Sequence, residues 1–368
     1  MCKRILFLIL FLAVGGCIEP YQFTIKNTEP SLVVEGYISD KTYRETLAYP
    51  SDGEYFQVKL TSTSDVTNVR SKPVLSAGVR LLSDAGEQWD YTENGDESGI
   101  YRLLDENFKA SVGVSYKLQV EVQNDDIYES EWESIAATSV PAMSDIEFSE
   151  IDIQKYKIEL GKEVIVNVQG IRGQINLPEN SSGEPIFYRW MFRPTWKYVA
   201  PLSPSIVLPG HTCWVTSPYY LNSYAIQQDN VGGYKKELFF METVRNERIF
   251  EKFSALIVQH AMSESYYTFW REMKEQNEGG AIFSKPPFNL NTNMRSVGGE
   301  KKVSGYFGVV QEQAKRWFFE KEDLSYFVEN TLKRDCTVPF QDPAPECFNC
   351  MEYSGGIPTN EKPVWWVD

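Results

Sequence analysis

Between Tyr116 and Gln123 apolar and polar side chains alternate without a break, with Tyr116, Leu118, Val120 and Val122 set against Lys117, Gln119, Glu121 and Gln123. A period of two puts successive side chains on opposite faces of a strand, so this stretch predicts a strand buried on one face. Phe56, Val58 and Leu60 alternate with Gln57 and Lys59, and Ala77, Val79 and Leu81 repeat the pattern before Ser83-Asp84-Ala85-Gly86 turns the chain. Leu32–Ile38, Gln88–Thr92, Gly99–Leu103 and Ile127–Trp132 read as further strands, separated by turn formers such as Asn94-Gly95 and Asn124-Asp125-Asp126. About seven short strands with no helical period predict an immunoglobulin-like or transthyretin-like sandwich over residues 31–141.

Pro141-Ala142-Met143-Ser144 marks the expected boundary to a second β-rich domain, residues 145–335. Val164, Val166 and Val168 alternate, and Ile186–Val199 is dense in aromatic residues. The period changes after the apolar run Ser254–His260. Ser263 stands where an N-cap belongs, and Tyr266, Phe269, Trp270 and Met273 follow at i, i+3, i+4 and i+7. This predicts one amphipathic helix over residues 263–278, stopped by Gly279-Gly280. Its aromatic face must cover an open sheet. Lys285-Pro286-Pro287 predicts an extended crossing, and Gly305-Tyr306-Phe307-Gly308 opens a last strand. Gln313–Glu320 and Leu324–Leu332 fit strand or short helix equally. Residues 336–368 read as an irregular tail whose Trp365-Trp366 pair would serve as a docking peptide or a closing strand.

The N-terminus departs from all of this. Lys3 and Arg4 precede the apolar run Ile5–Val14, which is short for a membrane span, and Val14-Gly15-Gly16-Cys17 resembles a bacterial lipobox. The expectation is a signal peptide over residues 1–16, lipid attachment at Cys17 and a tether over residues 17–30. Ile18 is not the Asp that retains lipoproteins in the inner membrane, so the outer membrane is the expected location. The formal net charge is −15, and loss of Lys3 and Arg4 with the leader makes it −17. Without basic patches, nucleic acid is not an expected partner. Of six cysteines, Cys213, Cys336, Cys347 and Cys350 remain beyond the lipidation site. In an oxidising compartment they predict two disulfides, with three connectivities open and one from the tail to Cys213 favoured.

Candidate chemistry is sparse. There is no G-x-S-x-G elbow and no H-E-x-x-H helix. The two histidines are His211 and His260; His260 lies in an apolar run, and His211 and Cys213 lack a third partner for a metal. Acidic residues such as Asp84, Asp96 and Asp125 sit in turns, where Asp is favoured for backbone reasons. No catalytic residue, metal or cofactor is assigned, and a non-enzymatic role is expected. Aromatic residues, 14% of the chain, are the remaining candidates for recognition. Trp196, Tyr198, Tyr219, Tyr220 and Tyr224, from adjacent loop-rich segments, are singled out as ligand- or partner-binding rings.

The order of these features resembles a known family. A lipobox is followed by the LVVEGYIS strand, the Gly99–Tyr101 G-x-Y, the VSYKLQV strand and a Val-Pro linker. The SESYYTFWREMKEQ helix, GGAIFSKPPFNL and SGYFGVV come after them. Together, from Leu32 to about Val310, they are similar to domain of unknown function 4249, a family of outer-membrane lipoproteins, with Thr292-Asn293 standing where Gly-Asn is common. The resemblance implies no catalytic residues. It implies a TonB-dependent outer-membrane receptor as partner, since such receptors are usually encoded alongside. The expected role is an accessory or substrate-capturing subunit of a TonB-dependent nutrient transporter. The alternative is a structural or assembly lipoprotein with no nutrient ligand.

Overall fold

The computed structural model describes residues 30–63, 72–123, 126–136, 140–221, 224–278, 290–299, 301–338 and 342–368. The proposed leader, Cys17, the tether, Gly279-Gly280 and Lys285-Pro286-Pro287 lie outside the described residues.

The first section contains β1 (Leu32–Ser39), the short helix α1 (Tyr43–Leu47), β2 (Gln57–Ser62), β3 (Lys72–Pro73), β4 (Gly78–Ser83), β5 (Gln88–Glu93), β6 (Ile100–Arg102), β7 (Ser115–Val122), β8 (Asp126–Ser130) and β9 (Glu133–Ser134). The alternation is realised as burial: Val58, Leu60, Val79, Leu81, Leu118 and Val120 are in the core, while their polar neighbours face outward. Two β-layers enclose that core. They meet at β5, whose first four residues, Gln88–Tyr91, pair with β4 and whose last two, Thr92 and Glu93, pair with β6.

The second section follows: β10 (Ile146–Glu159), β11 (Lys162–Leu177), β12 (Ile186–Val199), β13 (Thr212–Thr216), β14 (Ala225–Asp229), β15 (Tyr234–Glu242), β16 (Phe253–Met262), α2 (Glu264–Glu278), β17 (Met294–Val297), β18 (Val303–Phe319), α3 (Leu332–Asp335) and β19 (Ile357–Thr359). The fold is mainly β, with open sheets and α2 as its one long helix among the described residues. Among the described residues sixteen strands share one sheet, thirteen of them in a single hydrogen-bonded path with β3, β9 and β14 branching from it, and β10, β11 and β15 make a separate sheet.

β18 organises the molecule. Its first half, Val303–Val310, runs parallel to β1, and its second half, Gln311–Phe319, runs antiparallel to β16. β17 pairs with β8. Two strands from beyond residue 290 thus complete the first section, and the expected break at residues 141–145 divides the chain without dividing the sheets. The ambiguity at Gln313–Glu320 resolves as strand up to Phe319; residues 313–318 are half-buried on both faces, so burial imposes no period of two there.

The Gly305–Gly308 motif has a physical reading. Gly305 has φ +96, and a Cβ there would lie 1.9 Å from the Val34 carbonyl oxygen of β1. A Cβ on Gly308 would lie 2.2 Å from the Tyr266 ring of α2. Between them Phe307 enters the first core and Tyr306 stacks on Tyr266, with centroids 4.7 Å apart. The helix thus covers the sheet as expected, with Tyr266 and Phe269 buried and Trp270 and Met273 half-buried. Ser263 Oγ accepts from the Tyr266 amide at 3.3 Å, confirming the N-cap.

After α3 the tail is irregular apart from two 3-10 turns and β19, which pairs with β13. Disulfides join Cys213 to Cys350 and Cys336 to Cys347. Trp366 is buried against Trp214 and Phe318, and Trp365 stacks on Arg316 at 3.3 Å. The tryptophan pair therefore packs on its own chain and is not a closing strand.

Candidate ligand-binding site

The site is built around the connection from β15 to β16. Asn246 caps a 3-10 turn over Glu247–Ile249, its Oδ1 accepting from the Arg248 amide at 3.3 Å. Just before it, Arg245 takes the left-handed conformation, φ +57, which is uncommon outside glycine. The segment stands as a ridge with a cavity of about 350 Å³ on either side.

The first cavity lies between the ridge, β12 and the tail. Its apolar wall holds Tyr198, Phe250 and Tyr353, with the Tyr198 and Tyr353 rings 4.5 Å apart. Residues 331–338 and 342–347 close the other side, and the two disulfides hold them there. The Cys350 amide bonds to the Gly210 carbonyl at 2.8 Å, and the Leu202 amide to the Cys347 carbonyl at 2.9 Å. Tyr198 donates its hydroxyl to the Glu346 carbonyl at 3.3 Å, and Tyr353 donates to Glu247 Oε1 at 2.6 Å. Burial is the main cause that pushes both phenols up; the carboxylate of Glu247 adds to it in each. Both stay neutral hydrogen-bonding groups throughout the physiological range. Glu247, Asp335, Asp342 and Glu346 place four carboxylates around this cavity, with Arg245 the one cation among the described residues that line it.

The second cavity is lined by Tyr220, Phe239 and Phe240, by Glu242, and by Lys155, Arg245 and Arg248. Lys155 pairs with Glu242 at 2.6 Å, and Arg248 pairs with Glu247 across the ridge at 3.0 Å. The Arg248 guanidinium also lies over the Tyr220 and Trp196 rings, at 4.4 and 5.2 Å. Burial pushes the Tyr220 hydroxyl up to about 12, against a bond from Asn246 Nδ2 at 3.0 Å.

The five aromatic candidates separate. Tyr198 and Tyr220 wall the two cavities. Trp196 is wholly buried between them, so its expected contact with a ligand is corrected to packing: it supports Tyr220 and Tyr353 edge-on. Tyr219 is 83% exposed. Tyr224 turns away toward α2, donating to the Trp270 carbonyl at 2.8 Å and helping Trp270 enclose Arg189. The residues that sequence reasoning missed are on the ridge and in the tail: Arg245, Glu247, Asp335, Asp342, Glu346 and Tyr353. No periodicity marks them; the cysteine spacing around Cys347 and Cys350 is the one signal that points to this region.

The histidines do not assemble a site. His260 is fully buried, with Nε2 3.3 Å from Glu312 Oε2, and burial holds its pKa below the usual value. His211 contacts Thr212, and Cys213 is consumed in a disulfide. Among the described residues no three His, Cys, Asp or Glu side chains are grouped to hold a metal. No described helix is long and apolar enough to cross a membrane.

Residues 18–316 match the family model Domain of unknown function (DUF4249). The chain belongs to the DUF4249 family. Within this DUF4249 protein, residues 331–353 of the first cavity lie beyond the matched segment. No curated protein matches the chain. Among solved structures, a DUF4785 family protein from Legionella pneumophila is 11% identical, with a TM-score of 0.16, over 62% of this chain and 52% of that one. The chain thus spans about half the length of that protein.

Proposed function

We propose that this DUF4249 protein is an outer-membrane lipoprotein, anchored through Cys17, that captures a small ligand for a TonB-dependent receptor. Its work is binding and handover without covalent chemistry. The observation that carries the reading is the pair of aromatic-walled cavities on either side of the Arg245 ridge, stiffened by two disulfides. Concave sites with an apolar wall and a few placed polar groups are where small ligands bind. The lipobox-like Val14–Cys17 and the family membership support the membrane attachment and the receptor.

A second reading, a structural or assembly lipoprotein, is favoured by one feature. The β10–β11 hairpin extends past the point where β15 stops pairing, and its end exposes Tyr156, Ile158, Leu160 and Ile165. Affinity purification of the tagged protein from detergent-extracted outer membranes separates the two. Ligand capture for transport predicts a TonB-dependent receptor in stoichiometric amount. Recovery without a receptor, or with assembly machinery in its place, sinks the transport reading.

A further inference from the structure

The two cavities have the same volume, about 350 Å³ each, and Arg245 lines both; carboxylates outnumber cations in the first lining, and cations outnumber the single carboxylate in the second. Resting on the ligand-capture reading above, we infer that the ligand is a short peptide with both termini free, lying across the Arg245 ridge. Its ammonium sits on the carboxylate side and its carboxylate on the guanidinium side.

The charges left over after internal pairing decide this. Lys155 and Glu242 neutralise each other, as do Arg248 and Glu247. Among the described residues, Asp342 and Glu346 on one side and Arg245 on the ridge have no ion-pair partner. A neutral sugar needs no such separation of charge. A polyanion is repelled by the first cavity, and a simple cation leaves Arg245 unmatched. A zwitterion of ridge-spanning length satisfies both ends, and its apolar middle covers the Tyr198 and Tyr220 walls. The left-handed backbone of Arg245 fits the same role. A non-glycine residue in that conformation stores strain of the kind found at ligand clamps, and here it lifts the guanidinium to the crest between the cavities.

The test is calorimetric titration of the mature full-length protein with trileucine, N-acetyl-trileucine and trileucine amide. Free trileucine is expected to bind, and capping either end to weaken it about tenfold, the loss of one charge-assisted contact of about 1.4 kcal/mol. Arg245→Gly keeps the left-handed backbone and removes the guanidinium. It is expected to weaken free trileucine about tenfold while leaving the amide unchanged. Equal affinity for free and capped peptides, or no binding of any of the three, overturns the peptide assignment. Receptor co-purification is indifferent to that result, so a failure of the ligand class is distinguishable from a failure of the transport reading.

Discussion

Single residues carry more of this structure than their chemistry suggests. Gly305 gives β18 its close approach to the Val34 carbonyl. Gly305→Ala meets a backbone oxygen and an unfavourable φ together, and a loss of roughly 3 kcal/mol or more is expected in chemical denaturation. Gly308→Ala meets a side chain, the Tyr266 ring, and not backbone. A smaller loss of about 1–3 kcal/mol is expected, with faster amide exchange concentrated in residues 264–278. Glu133 is the titrating counterpart. It is buried, accepting from Tyr306 at 2.6 Å and from Ser263 at 3.2 Å beside the start of α2. Burial raises its pKa, and the bonds from Tyr306, Ser263 and Asn293 pull it only part of the way back. A carboxyl raised in the folded state favours folding below its unfolded pKa, and that contribution is lost as pH rises through the folded value. Glu133→Gln removes this dependence. The variant's melting temperature is expected to gain on wild type as pH rises from about 4; a gap that moves the other way contradicts the assignment.

At the scale of elements, what the sequence made legible follows from how many faces each element buries. β7 has one wet face, and its alternation predicts it directly. α2 has one wet face, and its i, i+3, i+4, i+7 stripe is the buried stripe. β18 is buried on both faces over Gly305–Val310 and half-buried on both over most of Gln311–Phe319, so its second half fits strand or helix equally by pattern. The site was the least legible part. Tyr198 and Tyr220 stand out in the sequence as aromatic residues, but the residues that share their cavities reside in a 3-10 turn and a tail that have no period to read. The pinning of that tail was legible from the cysteines alone, in the expected bond to Cys213. The Cys213–Cys350 bond closes a span of 137 residues and Cys336–Cys347 one of 11. On chain-entropy grounds, replacing the first pair with serine is expected to cost about 5 kcal/mol and the second about 3 kcal/mol, read by denaturant unfolding. Loss of the second pair is expected to blunt ligand binding more than its smaller stability cost implies, because those cysteines line the first cavity.

The whole molecule is tied together by long-range pairings rather than split at a linker. β18 belongs to both sections, and Trp365 reaches from the C-terminus to Asp52, with a 2.9 Å bond from its indole nitrogen. A chain truncated after Glu352 loses β19 and the buried Trp366 together. It is expected to unfold in one transition at lower denaturant, because the shared strand transmits the loss to both sections. Independent loss of the second section alone, seen as two transitions, contradicts that coupling. The proposed role is decided by what the intact molecule carries at the membrane. Native mass spectrometry of the lipoprotein, released from outer membranes in mild detergent, reads the anchor, the receptor and the cargo in one spectrum. The prediction is a lipidated chain bound to one TonB-dependent receptor, with a further small mass that Arg245→Gly depletes while the receptor interaction survives. A lipidated chain alone, or one bound to other proteins with no small mass at all, contradicts ligand capture for transport.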